Sequence, residues 1–154
     1  MWVPREDRDP IVLQAPTRKS VALFGAVSLR TGTLATMFAP RFNASTFESF
    51  LHLLLQYRHQ SRPLMVIILD NAKYHHAVAL DPFFEDHDSV LRPDFLPPYS
   101  PKLSPVERVW KHIRKLATHN QYFATLDELV MAIKRQLVQF AGPNETLINL
   151  CRIN

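Results

Sequence analysis

Two carboxylates stand in this sequence where a divalent cation could be held. Asp70 directly follows six consecutive apolar residues, Leu64 to Leu69, and Glu107 lies two residues beyond Pro105, in the first turn of an expected helix. Carboxylate oxygens on rigid supports suit hard cations such as Mg²⁺ or Mn²⁺. In phosphoryl-transfer sites two such ions lie ~3.5–4 Å apart, one activating the attacking oxygen and one stabilising the leaving oxygen. A helix N-terminus would also keep Glu107 ionised. Basic residues follow each acid: Lys73, His75 and His76 after Asp70, and Arg108, Lys111, His112, Arg114, Lys115 and His119 after Glu107. Lys111 and Arg114 fall at i+4 and i+7 from Glu107, on one side of the helix. Such a strip can touch DNA phosphates, a sequence-independent contact that weakens with salt. His75 and His76 are adjacent and point to different faces, which argues against a two-histidine metal site.

Each of these residues also has an ordinary reading. An Asp-Asn pair ending a strand is a common turn or cap. An acid in a first helical turn is favoured by the dipole alone. A basic helix face can simply be solvated, and Trp2 and Trp110 read as packing residues rather than base-stacking platforms. The combination carries the argument, and it requires elements that bring the pieces together.

Those elements can be read from periodicity and punctuation. Residues 1–19 are polar and proline-broken, an irregular leading segment. Residues 20–29 form an apolar β-like run, Arg30-Thr31-Gly32 a hairpin turn, and 33–38 the returning strand. Asn43-Ala44-Ser45-Thr46 signals a helix start with Ser45 or Thr46 as the cap. Phe47, Phe50, Leu51 and Leu54 then share one face, in a helix expected to reach about Arg58 and to be barred from continuing at Pro63. Leu64–Leu69 shows no alternation and is expected to be a central parallel strand buried on both faces. A short helix is expected within 76–87, and a strand over 90–96 interrupted at Arg92-Pro93-Asp94. Five prolines between Pro93 and Pro105 make the next segment a loop. Ser104-Pro105 opens a helix burying Val106, Val109, Trp110, Ile113 and Leu116. Thr125 and Glu128 form a capping box for a last helix with an apolar stripe of Leu126, Leu129, Val130, Ile133, Leu137 and Phe140, closed by Gly142-Pro143. This is a mixed α/β domain, and open sheets of this kind bind ligands beyond the carboxyl ends of their strands, where Asp70 falls.

Bulk properties set outer limits. The 154 residues fit one domain, read as residues 20–142, with 143–154 as a C-terminal tail. No apolar run approaches the ~20 residues that span a bilayer, and Met1–Pro10 lacks the apolar core of a secretory signal. The single cysteine, Cys151, excludes an internal disulfide and a multi-thiolate zinc site, and suits the cytoplasm. A formal charge of +4 and a pI near 9.5 permit a polyanionic partner without demanding one.

Two stretches resemble a known family. Leu69-Asp70-Asn71-Ala72-Lys73-Tyr74-His75, and the run from Phe95 through Pro97-Pro98-Tyr99-Ser100-Pro101 to Glu107-Arg108-Val109-Trp110-Lys111, are similar to the second and third catalytic motifs of mariner-related bacterial insertion-sequence transposases, of the Asp-Asp-Glu endonuclease superfamily. Val21–Gly32 resembles the family's early hairpin. The resemblance implies a ribonuclease-H-like fold, a mixed sheet flanked by helices. It makes Asp70 and Glu107 the second and third metal ligands of a two-ion Mg²⁺ or Mn²⁺ site. It implies DNA cleavage and 3′-end transfer, with transposon-end and target DNA as partners contacted by Lys73, His75, Arg108, Lys111, Arg114 and Lys115.

The family's first aspartate lies on a strand upstream of a segment similar to Met1-Trp2-Val3-Pro4. By this resemblance the first strand, its aspartate and a helix-turn-helix region are expected to be missing, and Glu6, Asp7 and Asp9 do not occupy that position. The isolated chain is then expected to be weak or inactive, either a partial reading frame or the downstream half of a frameshifted product. A non-catalytic remnant that binds DNA or the full-length transposase is the alternative function. A homodimer and association with an upstream half are the expected protein partnerships. A junction-resolvase-like nuclease is disfavoured by the proline-tyrosine loop.

Overall fold

The computed structural model describes residues 12–14, 19–62 and 64–152. Among these, an antiparallel sheet has the order β1 (Val12–Gln14), β2 (Ser20–Val27), β3 (Leu34–Ala39). A parallel pair is formed by β4 (Met65–Leu69) and β5 (Leu91–Phe95). The helices are α1 (Ala44–Leu55), α2 (Asp81–Asp86), α3 (Pro105–Ala117), α4 (Leu126–Leu137) and α5 (Glu145–Cys151).

Strand alternation distributes the core to both sides of the antiparallel sheet. Leu23 and Leu34 join one cluster with Val109, Trp110, Ile113 and Ala117 of α3, Leu129, Ile133 and Leu137 of α4, and Leu147 and Cys151 of α5. Ala22, Phe24, Ala35 and Ala39 face the other, with Phe47, Phe50, Leu51 and Leu54 of α1, Ile67, Leu69 and Leu91 of the parallel pair, and Leu80 and Phe83. Gly25 lies beneath Trp110: a Cβ there would overlap the indole ring. Only a residue without a side chain lets α3 approach β2 this closely. The β2–β3 turn places Gly32 at φ +71, with its N–H donating to the Ser28 carbonyl at 2.8 Å. The Asn144 amide donates to the Thr31 carbonyl at 2.8 Å, fastening the start of α5 to this turn.

Several expectations need correction. Val12–Gln14 pairs with Ser20–Ala22, so the leading segment is not irregular throughout; the rest of it, with Trp2, Glu6, Asp7 and Asp9, lies outside the described residues, as does Pro63. The cap of α1 is Asn43, not Ser45 or Thr46: its side chain accepts from the Thr46 amide at 2.8 Å while Thr46 Oγ1 accepts from the Asn43 amide. The helix ends at Leu55 rather than near Arg58. Residues 143–154 are not merely a tail, because α5 buries Leu147 and Cys151 in the core. Leu116 is exposed and Ala117 takes the buried position, one turn beyond Ile113. Pro93 does not interrupt β5; it pairs with Ile67, as a proline can in an edge strand. β4 is parallel as expected, but Val66 is 43% and Ile68 47% exposed. Its unbroken apolar run therefore describes one covered face and one open face.

Candidate active site

Asp70 leaves the carboxyl end of β4 and its backbone turns at once. Its Oδ1 accepts from the Ala72 amide at 3.1 Å. This is the local side-chain-to-backbone bond that Asp favours in turns. The turn reading is therefore realised, and it fixes the carboxylate. Lys73–His76 then form one 3₁₀ turn, which carries His75 back beneath Asp70. His75 Nδ1 lies 2.9 Å from Asp70 Oδ1 and 3.1 Å from the Asp70 carbonyl oxygen. Both partners are acceptors, so Nδ1 carries the proton. The His75 ring is buried, with 8% exposure, between Phe47 and Tyr74 at 4.4 Å centroid distances. Burial by itself would raise the Asp70 carboxyl. The His75 hydrogen bond, the Ala72 amide and the electrostatic pull of His75 and His76 outweigh it, leaving Asp70 below its ordinary 3.8.

A second set of bonds ties this turn to the loop that leads to Glu107. The Leu96 amide donates to the Leu69 carbonyl at 2.8 Å. Asn71 Nδ2 donates to the Leu96 carbonyl at 2.7 Å. Asn71 Oδ1 accepts from His76 Nε2 at 3.1 Å, and His76 stacks on Phe95 at 4.2 Å. The ends of β4 and β5 are thus cross-linked by side chains just before Pro97. From there the loop passes Tyr99, in the left-handed region at φ 60, and a 3₁₀ turn at Pro101–Leu103. It enters α3 at Pro105, with Ser104 as the cap and Glu107 in the first turn.

Glu107 is half-buried and lines a cavity of about 450 Å³ with Lys102, Ser104, Arg108 and Lys111. The immediate neighbours of the two acids therefore differ: imidazoles and amides for Asp70, cationic side chains for Glu107. Both acids offer the oxygen donors that a hard divalent cation takes. Asp70 Oδ1 is engaged by two donors, and Oδ2 is the oxygen left to a ligand. Among the described residues no three His, Cys, Asp or Glu side chains group closely enough to enclose a metal ion.

The residues expected to meet DNA divide into three groups. Lys73, Lys111, Arg114 and Lys115 are exposed. His75 is not a surface contact: burial and its bond to Asp70 make it an internal partner of that carboxylate. Arg108 is committed elsewhere, since its Nη1 donates to the carbonyls of Leu150 at 3.1 Å and Arg152 at 2.7 Å. Its Nη2 donates to the Lys102 carbonyl at 3.1 Å. A guanidinium presents five donors in a rigid fork, and here the fork joins the loop, α3 and the end of α5. Sequence reasoning missed the Asn71–His76–Phe95 link altogether. The five-residue steps from Asp70 to His75 and from Asn71 to His76 were its visible trace, recognisable only once the intervening residues are known to turn.

With that geometry in place, the comparisons with known proteins are unambiguous about class. Residues 1–130 match the family model of the DDE superfamily endonucleases, and the chain belongs to that family. An uncharacterised protein of Sinorhizobium fredii (strain NBRC 101917 / NGR234), y4pE/y4sA, is 32% identical over 108 residues, 70% of this chain and 76% of its own length. Among solved structures, a chain of the Mos1 strand transfer complex is similar with a TM-score of 0.64 and 19% identity, over 98% of this chain and 44% of that one. A chain of the simian T-cell lymphotropic virus intasome in complex with PP2A regulatory subunit B56 gamma is similar with a TM-score of 0.61 and 19% identity, over 81% and 45%. This chain spans less than half the length of either solved chain. The mixed α/β architecture read from the sequence, ribonuclease-H-like as the family resemblance implies, is the fold it shares with them.

Proposed function

We propose that this chain is the catalytic portion of a DNA transposase, acting in metal-dependent DNA strand cleavage and 3′-end transfer. Asp70 and Glu107 would hold Mg²⁺ or Mn²⁺, and Lys73, Lys111, Arg114 and Lys115 would hold DNA phosphates. One observation carries this reading: the Asp70 carboxylate is fixed at the end of β4 by the Ala72 amide and His75, and the neighbouring Asn71 side chain ties that strand end to the loop that delivers Glu107. When bound, such ions activate the attacking oxygen and stabilise the leaving one. The chain's own residues do the positioning. The lysines and Arg114 anchor the DNA backbone without reading its sequence.

A second reading, DNA binding without cleavage, draws on the lack of a three-ligand group among the described residues. It extends to association with a complete transposase. Incubating the chain with Mn²⁺ and a labelled duplex from the sequences flanking its own gene separates the two. Cleavage that disappears in Asp70→Ala and Glu107→Gln supports the catalytic reading. Retained DNA binding with no cleavage in any variant supports the second.

A further inference from the structure

We infer that His75 is a positioning residue, which sets the orientation of the Asp70 carboxylate and leaves a single oxygen, Oδ2, to a divalent cation. This rests on the reading of Asp70 as a ligand. Three observations combine. His75 is the buried polar side chain of the described core. Its Nδ1 reaches both Asp70 Oδ1 and the Asp70 carbonyl oxygen. Oδ1 also receives the Ala72 amide. A carboxylate oxygen holding two protein donors is a poor further ligand, whereas its partner oxygen keeps its lone pairs and is now aimed. Without the imidazole only the Ala72 amide would hold Oδ1, and the carboxylate would be less firmly fixed about its terminal bond, where the torsional wells are broad. The ring itself cannot rotate freely, being held between Phe47 of α1 and Tyr74. Packing of α1 is thereby transmitted to the end of β4. Outer residues that fix ligand orientation commonly change metal affinity by about 10–100-fold when removed.

Asn at position 75 can place an amide N–H near Nδ1, whereas Gln reaches toward Nε2. Mn²⁺ binding to the full chain, read by electron paramagnetic resonance without DNA, is measured for wild type, Asp70→Ala, His75→Ala, His75→Asn and His75→Gln, each checked for native circular dichroism. The expected result is binding lost in Asp70→Ala, weakened about 10–100-fold in His75→Ala and His75→Gln, and restored toward wild type in His75→Asn. If Asp70→Ala binds Mn²⁺ as wild type does, the ligand reading falls and the positioning role falls with it. If Asp70→Ala loses the ion while all three His75 variants keep it, the positioning role alone is overturned. A test on the unaltered protein is independent of variant folding: ¹⁵N spectra must show His75 Nδ1 protonated. A neutral ring with a bare Nδ1 contradicts the inference.

Discussion

Replacing Arg108 by alanine tests whether a cation next to Glu107 serves the fold or the DNA. The guanidinium makes three charge-assisted bonds to carbonyls of Leu150, Arg152 and Lys102. Hydrogen bonds from charged donors contribute about 1.5–3 kcal/mol each when well shielded. Two of the bonds are exposed and that to Leu150 is only part-buried, so roughly 1 kcal/mol for each of the three is a fairer figure, and about 3 kcal/mol is expected for the set. In a chain of this size each kcal/mol shifts Tm by about 2–4 °C, so Arg108→Ala should unfold roughly 6–12 °C earlier. Arg108→Lys should recover only part of this, because an ammonium cannot serve three carbonyls in the geometry of a planar fork. Thermal unfolding by circular dichroism measures the stability, and fluorescence anisotropy with a labelled duplex at low temperature measures DNA affinity. Lys111→Ala is the matched control: it is exposed and should weaken DNA binding with almost no change in Tm. Should Arg108→Ala melt like wild type and lose DNA affinity as Lys111→Ala does, the structural role assigned to Arg108 is wrong.

Three further outcomes follow from the geometry. Gly25→Ala should cost about 1–3 kcal/mol, because its methyl group would enter the space of the Trp110 ring in a closely packed core; urea unfolding reads this directly. Asp70 has a folded-state value below its ordinary 3.8, so the stability it contributes is present above that value and lost as pH falls through the lower folded one. Urea midpoints followed between roughly pH 5 and pH 2 should therefore fall less steeply in Asp70→Asn than in wild type. If Lys111, Arg114 and Lys115 each meet a phosphate, neutralising one should reduce the slope of log affinity against log salt by about 0.9. A slope unchanged in all three single variants would leave that helix face merely solvated.

The elements that position the site were legible because their signals are local. The spacing of Phe47, Phe50, Leu51 and Leu54, the Ser104-Pro105 start and the Thr125 cap depend on residues within one or two turns of each other. Thr125 caps as expected, accepting from the Glu128 amide at 3.2 Å, although Glu128 reaches back to Ala124 rather than Thr125. Asp70 and Glu107 could be picked out because strand end and helix start both leave recognisable punctuation. What was not legible depends on contacts distant in sequence. Nothing near Arg108 in the sequence announces that its partners lie 42 and 44 residues away. A basic residue on a helix reads the same whether it faces solvent or carbonyls. The exposed face of β4 was unreadable for a related reason: Val66 and Ile68 are as apolar as Ile67 and Leu69, and only the arrangement of neighbouring elements decides which side is covered. The expectation that His75 meets DNA rests on its place among basic residues after Asp70 and on the family resemblance, and the 3₁₀ turn that buries it carries no strong sequence mark.

The central claim is that Asp70 and Glu107 serve one cation site. Titrating Mn²⁺ into wild type, Asp70→Asn, Glu107→Gln and the double variant, with bound ion counted by electron paramagnetic resonance, tests it most directly. The account predicts that either single substitution weakens binding of the same ions, and that the double variant loses little more than each single one. Additive losses, with each single variant retaining a separate full-strength ion, would contradict it.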